Sequence, residues 1–161
     1  MKKLFIVTGE YSGSMHATRV VECIKSQNPD IEIEGIGDEN LEKAGVKLFS
    51  DHNKMSAYGF SLGILFDHIV LGKRLVDYLT KEYKPDMVLL IDYGGFNLKL
   101  AQFLKKHGIK IYYYIPPQIW ASRKHRIKAV KKYIDKVLCI FPFEVDMYRD
   151  YGIRLLQCLF L

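Results

Sequence analysis

The chain has 161 residues, of which 49% are hydrophobic and 26% charged, a composition typical of one globular domain. It contains no stretch of the roughly 18 uncharged residues that a membrane-spanning helix needs, and the first apolar run is too short for a signal peptide. The three cysteines are far apart and lack metal-ligand spacing, so neither a disulfide nor a metal site is expected and a reducing cytoplasm is the predicted compartment. The formal net charge of +6 indicates an anionic partner without choosing its class.

Short apolar runs alternate with amphipathic segments of helical length, which is typical of a parallel sheet covered by helices on both faces. The predicted strands are residues 4–8, 31–36, 86–91, 109–115 and 136–141. One predicted helix follows residue 14, three cover residues 39–44, 96–107 and 122–133, and a last one begins at Pro142. Residues 31–36 alternate apolar and acidic side chains, which predicts a strand nearer an edge. The sequence therefore predicts one α/β domain built on a Rossmann-like parallel sheet.

The segment of residues 55–79 fits this pattern poorly, because its apolar side chains cover more than one face of a helix. Charged side chains interrupt it, so the segment does not span a bilayer but can lie in a membrane interface. Composition alone favours the other interpretation, a wide core-facing surface. The candidate membrane contacts are Phe60, Ile64, Leu65, Phe66, Ile69, Lys73 and Arg74.

Ligands of open α/β sheets lie beyond the carboxyl ends of the strands, where residues 9–14 form the first candidate segment. Its glycines allow close backbone approach, and the start of the following helix offers free amide groups to an anion. The alternative is an ordinary strand–helix turn capped by Ser12 or Ser14. The segment has neither the dinucleotide-binding glycine pattern nor a Walker loop, so neither class of cofactor is predicted.

Asp92 follows the strand predicted to be most deeply buried, so its carboxylate should lie at the ligand edge with limited solvent. A carboxylate in such a place is a candidate general base for a hydroxyl group. The alternative is that Asp92 caps the following helix, with Asn97 in the same turn.

Residues 116–123 combine two prolines with the only tryptophan and an arginine near a helix start. Trp120 is a candidate pocket wall and Arg123 a candidate phosphate ligand; the alternative places Trp120 in the core and Arg123 in solvent. The helix that follows is expected to point most of its cations outward, as a solvated face or towards an anionic surface. Six cations without an acid lie between residues 122 and 134: Arg123, Lys124, Arg126, Lys128, Lys131 and Lys132. Nucleic acid is not expected as a partner, because no recognisable binding motif accompanies them.

Four short motifs follow one another along the sequence. Residues 9–13 read Gly-Glu-Tyr-Ser-Gly. Residues 85–97 contain Pro-Asp, then Ile-Asp, then Phe-Asn. Residues 114–123 contain a tyrosine, a proline and Trp-Ala-Ser-Arg, and residues 141–144 read Phe-Pro-Phe-Glu. Each motif is weak alone, but the four in register are specific, because they have the spacing found in lipid-A-disaccharide synthases. The chain resembles that family from about residue 3 to residue 152.

The resemblance implies the N-terminal, acceptor-side domain of a GT-B enzyme that needs no metal. Such an enzyme is an inverting glycosyltransferase that moves 2,3-diacylglucosamine from UDP to the 6-hydroxyl of 2,3-diacylglucosamine 1-phosphate during lipid A biosynthesis. It also implies a peripheral position on the cytoplasmic face of the inner membrane, favours the lipid-contacting interpretation of residues 55–79, and leaves homo-oligomerisation open. In this sequence the implied base is Asp92, and the implied substrate-binding residues are Gly9, Glu10, Ser12, Gly13, Asn97, Trp120 and Arg123.

The sequence departs from the family pattern in three places. Ser14 and Gly95 stand where the family has aspartates, and the residues after Gly152 diverge. Residues 1–152 are therefore expected to form the acceptor-side domain and residues 153–161 a divergent tail, without the half that binds the sugar nucleotide. A chain of this kind is expected to be inactive alone. The alternatives are another GT-B sugar-nucleotide enzyme, such as an epimerase, or a non-catalytic remnant that binds a membrane surface.

Overall fold

The structure is a computed structural model that describes residues 2–51, 62–119 and 125–156, with only the backbone described for residues 51 and 62–68. The strands are β1 (Lys3–Thr8), β2 (Glu32–Gly37), β3 (Lys47–Asp51), β4 (Met87–Ile91), β5 (Lys110–Tyr114) and β6 (Lys136–Leu138). The helices are α1 (Tyr11–Gln27), α2 (Glu39–Lys43), α3 (Leu62–Asp77), α4 (Gly94–Lys106), α5 (Arg126–Tyr133) and α6 (Pro142–Asp150).

All six strands are parallel, in the spatial order β3-β2-β1-β4-β5-β6. The chain therefore builds outwards from β1 in one direction, returns, and continues from β4 in the other. The strand order reverses between β1 and β4, and a ligand crevice forms outside the carboxyl ends of the strands at such a point. The predicted α/β fold class is confirmed.

Alternate side chains of the central strands enter two separate core layers. Phe5 and Val7 of β1 join the layer that contains Leu75 of α3 and Leu104 of α4. Leu4, from the opposite face of the same strand, joins the α1 and α2 layer. Burial on both faces explains why β1 and β4 appear in the sequence as nearly continuous apolar runs.

The short helix α2 has the boundaries that its capping residues predict. The Asp38 carboxylate accepts hydrogen bonds from the backbone amides of Asn40 and Leu41, and the helix ends before Gly45, whose φ is +85°. Asp38 also accepts a hydrogen bond of 2.5 Å from the Ser14 hydroxyl. Ser14, the first departure from the family pattern, therefore joins α1 to α2.

The sheet differs from the prediction at both edges. Strand β3 was not predicted, and it places β2 one strand in from the edge. Glu34 of β2 is buried, and Lys47 and Tyr78 bind its carboxylate at 2.7 Å and 2.6 Å. At the other edge β6 ends at Leu138, three residues earlier than predicted. Leu156 then donates a backbone hydrogen bond to Val137, so the start of the predicted tail lies beside this strand.

The predicted long middle segment is a helix from Leu62 that continues into a π-helical turn, Tyr78–Tyr83. Leu75 and Leu79 are fully buried, whereas Ile69 is 62% exposed. The prediction for Phe60 lies outside the described residues, as do the side chains of Ile64, Leu65 and Phe66. None of the described helices has the length and hydropathy of a membrane-spanning helix.

Candidate active site

The register of the sheet brings the first two candidate loops side by side. Thr8 pairs with Ile91, so the segments that begin at Gly9 and at Asp92 leave adjacent strands at the same edge. Ile91 pairs in turn with Tyr114, which places the third candidate segment next along this edge. This is the edge at which the strand order reverses, where the fold predicts a ligand.

Tyr93 packs directly on the backbone of Gly9. A Cβ atom added to Gly9 would lie 2.2 Å from the Tyr93 Cγ atom, so no larger residue fits without moving the ring. Burial, with a smaller effect of the nearby Glu10 carboxylate, raises the pKa of the Tyr93 hydroxyl. Gly9 is therefore needed for the contact between the first two loops.

The other residues predicted in the first loop divide between solvent and core. Glu10 and Ser12 are exposed, whereas Gly13 is buried with room for ordinary contacts around it. Glu10 is the N-cap of α1, and no side chain caps the helix by a hydrogen bond, so the capping role considered for Ser12 or Ser14 is wrong. Glu10 and Ser12 are thus accessible to a ligand.

Asp92 lies in the left-handed region, with a φ of +49°. Its amide donates to the Tyr114 carbonyl at 3.1 Å. Its carbonyl oxygen accepts from the Asn97 Nδ2 atom at 2.8 Å and from the Tyr113 hydroxyl at 2.6 Å. Three hydrogen bonds therefore hold the Asp92 peptide groups in a conformation that non-glycine residues rarely adopt.

The Asp92 side chain does not cap the following helix. Tyr93 is the N-cap of α4, and no side chain supplies a capping hydrogen bond, so the structural alternative considered for Asp92 is wrong. Asp92 is half-buried, and no residue within the described ranges hydrogen-bonds its carboxylate. The carboxylate is therefore available to a ligand at the carboxyl ends of the strands.

Asn97 is fully buried beneath this turn. Its Nδ2 atom also donates to the Ile91 carbonyl at 3.3 Å, and its Oδ1 atom has no hydrogen-bond partner within the part of the chain that is described. Asn97 thus supports the backbone that presents Asp92. Its direct contact with substrate stays a prediction.

A strained residue, Ile115, precedes the third candidate segment, and a hydrogen bond from α6 holds the start of that segment. Ile115 has a φ of +54°, which is unusual for a β-branched side chain. Tyr148 of α6 donates its hydroxyl proton to the Pro117 carbonyl at 2.8 Å. Asp92, Tyr93 and Ile115 are three of the four non-glycine residues with positive φ in the described ranges. Such backbone strain tends to collect at functional sites.

The structure brings together part of the predicted site. The loop at residues 9–13, Asp92 and Asn97 meet at one edge, whereas the side chains of Trp120 and Arg123 lie outside the described residues. Among the residues that are described, no group of three His, Cys, Asp or Glu side chains is arranged to hold a metal ion.

Arg126 lies beside the candidate site, although the sequence patterns did not single it out. A Cβ atom added to Gly94 would lie 2.8 Å from the Arg126 Nη1 atom and 3.0 Å from Pro117 Cγ. The guanidinium therefore lies against the first turn of α4, two residues after Asp92. Periodicity predicted only that most cations of this helix point outward, and the Gly94–Gly95 pair is the one local signal of a close approach.

The arrangement combines a carboxylate and a guanidinium at one end of a sheet. Burial, followed by the Asp92 carboxylate, raises the pKa of the Tyr113 hydroxyl, and Arg126 opposes this increase. Both charges therefore act on the same buried hydroxyl. A carboxylate can accept a proton from a hydroxyl group, and a guanidinium can bind an anionic oxygen.

Comparison with protein families gives a match over residues 4–161 to the family described as lipid-A-disaccharide synthetase. This range includes the residues after Gly152, and their separation as a divergent tail stays a prediction. The chain is 44% identical over 154 residues to lipid-A-disaccharide synthase 1 of Legionella pneumophila, covering 94% of this chain and 40% of that relative. It is 37% identical over 153 residues to the lipid-A-disaccharide synthase of Myxococcus xanthus, with the same two coverages.

Solved structures show the same fold at low sequence identity. UDP-GlcNAc 2-epimerase from Neisseria meningitidis, bound to UDP-GlcNAc, has a TM-score of 0.68 at 11% identity and covers 97% of this chain and 46% of its own. A lipopolysaccharide outer core galactosyltransferase has a TM-score of 0.63 at 18% identity and covers 98% and 45%. These likenesses confirm the predicted Rossmann-like domain of the GT-B fold. The family match and the identity of the two synthases establish that the chain belongs to the lipid-A-disaccharide synthase family, and that it spans about 40% of the length of these relatives.

Proposed function

We propose that this chain is the acceptor-side domain of an inverting glycosyltransferase that makes the lipid A disaccharide. The proposed donor is UDP-2,3-diacylglucosamine, and the proposed acceptor is 2,3-diacylglucosamine 1-phosphate. The observation that carries the proposal is the Asp92 carboxylate at the edge where the strand order reverses, in a left-handed turn and without a capping role. Family membership supports the reaction class.

In the proposed reaction Asp92 acts as the general base. The 6-hydroxyl oxygen of the acceptor forms a bond to the anomeric carbon of the donor sugar while the bond from that carbon to UDP breaks. The hydroxyl proton passes to the Asp92 carboxylate, and UDP leaves with the bonding electrons. Attack opposite the leaving group inverts the anomeric configuration. Base catalysis of this kind contributes about 10²–10⁴-fold to the rate.

The proposal also assigns the two substrates to different residues of the enzyme. Residues 1–152 are proposed to hold the acceptor, and residues outside this range to hold the sugar nucleotide. The 161-residue chain alone is then expected to form no disaccharide, because the rate depends on holding both substrates in one geometry. Disaccharide formation by the purified chain would contradict this part of the proposal.

The test of Asp92 uses a chimeric enzyme in which this chain replaces the matching part of the Legionella relative. Asp92→Asn should lower kcat by about 10²-fold or more while acceptor binding changes little, because the amide keeps the shape but cannot accept the proton. Asp146→Asn is the matched control, since that exposed carboxylate only pairs with Arg149 at 2.8 Å. Unchanged turnover in Asp92→Asn would remove Asp92 as the base.

We also propose that α3 contacts the cytoplasmic face of the inner membrane. Ile69 and Val70 are 62% and 41% exposed, and the exposed Lys73 and Arg74 follow within one turn. Exposed apolar side chains beside cations suit an anionic lipid surface. A Cβ atom at Gly72 would touch Phe96 of α4 at 3.7 Å, so this helix lies near the Asp92 turn. A membrane here would lie close to the site of a lipid-linked acceptor, and co-sedimentation with lipid vesicles tests the contact.

A further inference from the structure

Arg126 differs from the other described cations of its helix. Lys128, Lys131 and Lys132 are exposed, as expected for a solvated basic face, whereas Arg126 is half-buried. Its guanidinium lies against the Gly94 backbone, beside Pro117. Because Gly94 follows Asp92 by two residues, the guanidinium lies at the carboxyl end of the sheet, beside the turn that carries the candidate base.

The Arg126 charge has no acidic partner among the residues that the structure describes. The partly buried Lys105, by comparison, lies 2.5 Å from the Asp135 carboxylate, whereas Arg126 makes neither an ion pair nor a hydrogen bond within the described ranges. The first turn of α4, against which the guanidinium lies, also contains no acidic residue. A half-buried guanidinium has lost part of its hydration, and an anion that binds it would restore the lost interactions.

The position of the guanidinium depends on the absence of a side chain at Gly94. An alanine there would place its Cβ atom 2.8 Å from Nη1, closer than ordinary van der Waals contact. At Gly95 the nearest atom to an added Cβ is the Arg126 Nη2 atom at 3.9 Å, an ordinary contact distance. The first turn of α4 therefore fits closely around the Arg126 head group.

We propose that Arg126 binds the phosphate group of a sugar phosphate at this edge, and so selects a phosphorylated acceptor. The inference rests on the proposed function, because it assigns a ligand to one end of the same site. A planar guanidinium can bind two oxygens of a phosphate monoester at once. With the phosphate at Arg126, the sugar extends along the edge towards the Asp92 turn.

The test is a titration of the isotopically labelled 161-residue chain with N-acetylglucosamine 1-phosphate, followed by NMR. Arg126→Gln should weaken binding at least tenfold, because it removes a charged hydrogen-bond donor. Lys128→Gln removes the same charge from an exposed position of the same helix and should change binding less than twofold. N-acetylglucosamine, which lacks the phosphate, should bind wild type at least tenfold more weakly.

A second pair of variants tests the geometry without changing the charge. Gly94→Ala should displace the flexible guanidinium and weaken binding at least fivefold, whereas Gly95→Ala should leave binding unchanged. Equal weakening by Arg126→Gln and Lys128→Gln, or unchanged binding in Gly94→Ala, would overturn the inference, as would the absence of sugar phosphate binding to wild type at millimolar concentration.

Titration with UDP shows whether the phosphate bound by Arg126 comes from the acceptor or from the sugar nucleotide. Binding of UDP that depends on Arg126 more strongly than binding of the sugar phosphate would overturn the acceptor assignment. Asp92→Asn should leave sugar phosphate binding within twofold of wild type. A failure of Arg126 is therefore distinguishable from a failure of Asp92, which is measured through turnover in the chimera.

Discussion

Tyr113 and Asp92 are 21 residues apart in the chain, and the Tyr113 hydroxyl donates a hydrogen bond of 2.6 Å to the Asp92 carbonyl oxygen. Tyr113 is fully buried in β5, so its hydroxyl is fixed by the core of the domain. The side-chain amide of Asn97, in the first turn of α4, donates to the same oxygen at 2.8 Å. The left-handed turn that presents the candidate base is therefore held by two separate elements.

Tyr113→Phe should destabilise the domain and loosen the Asp92 turn. The loss of one buried hydrogen bond should lower the free energy of unfolding by about 1 kcal/mol, and the Asp92 carbonyl keeps its Asn97 donor. Urea unfolding of the chain measures this effect. In the chimera we expect kcat to fall while KM for the acceptor changes little, because the substitution alters the position of the base rather than a substrate contact.

Tyr112→Phe is the matched control for this substitution. Tyr112 is the neighbouring residue of the same strand, and its ring lies beneath the Lys136 ammonium group, which does not need the hydroxyl. Its loss of stability should stay below about 0.5 kcal/mol. Equal effects of the two substitutions would show that the Tyr113 hydrogen bond has no special role in the turn.

Gly9→Ala should destabilise the contact between the first two loops. The added methyl group would overlap the Tyr93 ring, whose backbone is itself left-handed beside Asp92. Overpacking of this kind costs about 1–3 kcal/mol, which thermal or urea unfolding would detect. Gly13→Ala is the control in the same loop, since its Cβ atom would meet its nearest neighbour, Thr8, at 3.7 Å. A larger loss of stability in Gly13→Ala would contradict the assignment.

Local sequence patterns were sufficient to predict the elements that are buried on both faces or whose ends are capped. Strand β1 could be predicted because residues 4–8 are all apolar or small and are all buried. The ends of α2 could be predicted because Asp38 and Gly45 act on residues close to them in the chain. The left-handed Asp92 turn could be located, but its conformation could not, since it depends on a donor in the next strand.

Features that depend on distant contacts could not be predicted from these patterns. Strand β3 has no distinctive apolar run and forms by pairing with β2. The alternation of apolar and acidic residues in β2 does not indicate that Glu34 is buried, because its burial requires Lys47 and Tyr78 from two other elements. The orientation of Arg126 similarly depends on how closely α5 approaches the first turn of α4. These contacts between elements decide which charges face the site.

The hydrogen bond between Tyr78 and Glu34 predicts a loss of stability in alkaline solution. Burial, and then the Glu34 carboxylate, raises the pKa of Tyr78 from 10.0 to about 12. Above pH 10 the unfolded chain therefore releases this proton while the folded chain retains it. The stabilisation is fully present below pH 10 and is lost as the pH rises towards 12.

Tyr78→Phe should therefore reduce the slope of unfolding free energy against pH in this interval. A residual slope should remain, because burial also raises the pKa values of Tyr83, Tyr113 and Tyr148. Urea unfolding at several pH values between 9 and 12 measures both slopes. An identical slope in wild type and Tyr78→Phe would contradict the contribution of this hydrogen bond.

The exposed residues Ile69, Val70, Lys73 and Arg74 of α3 allow the apolar and the electrostatic contributions to membrane binding to be measured separately. An Ile69→Ser and Val70→Ser double variant should reduce co-sedimentation with anionic lipid vesicles at both low and high salt, because it removes apolar contact. A Lys73→Gln and Arg74→Gln double variant should reduce it mainly at low salt, where charge attraction is least screened. Phe103→Ser is the control, since Phe103 is 51% exposed on α4. If all three variants lose binding equally, α3 is not the specific contact; if neither α3 variant loses binding, the proposed membrane surface is wrong.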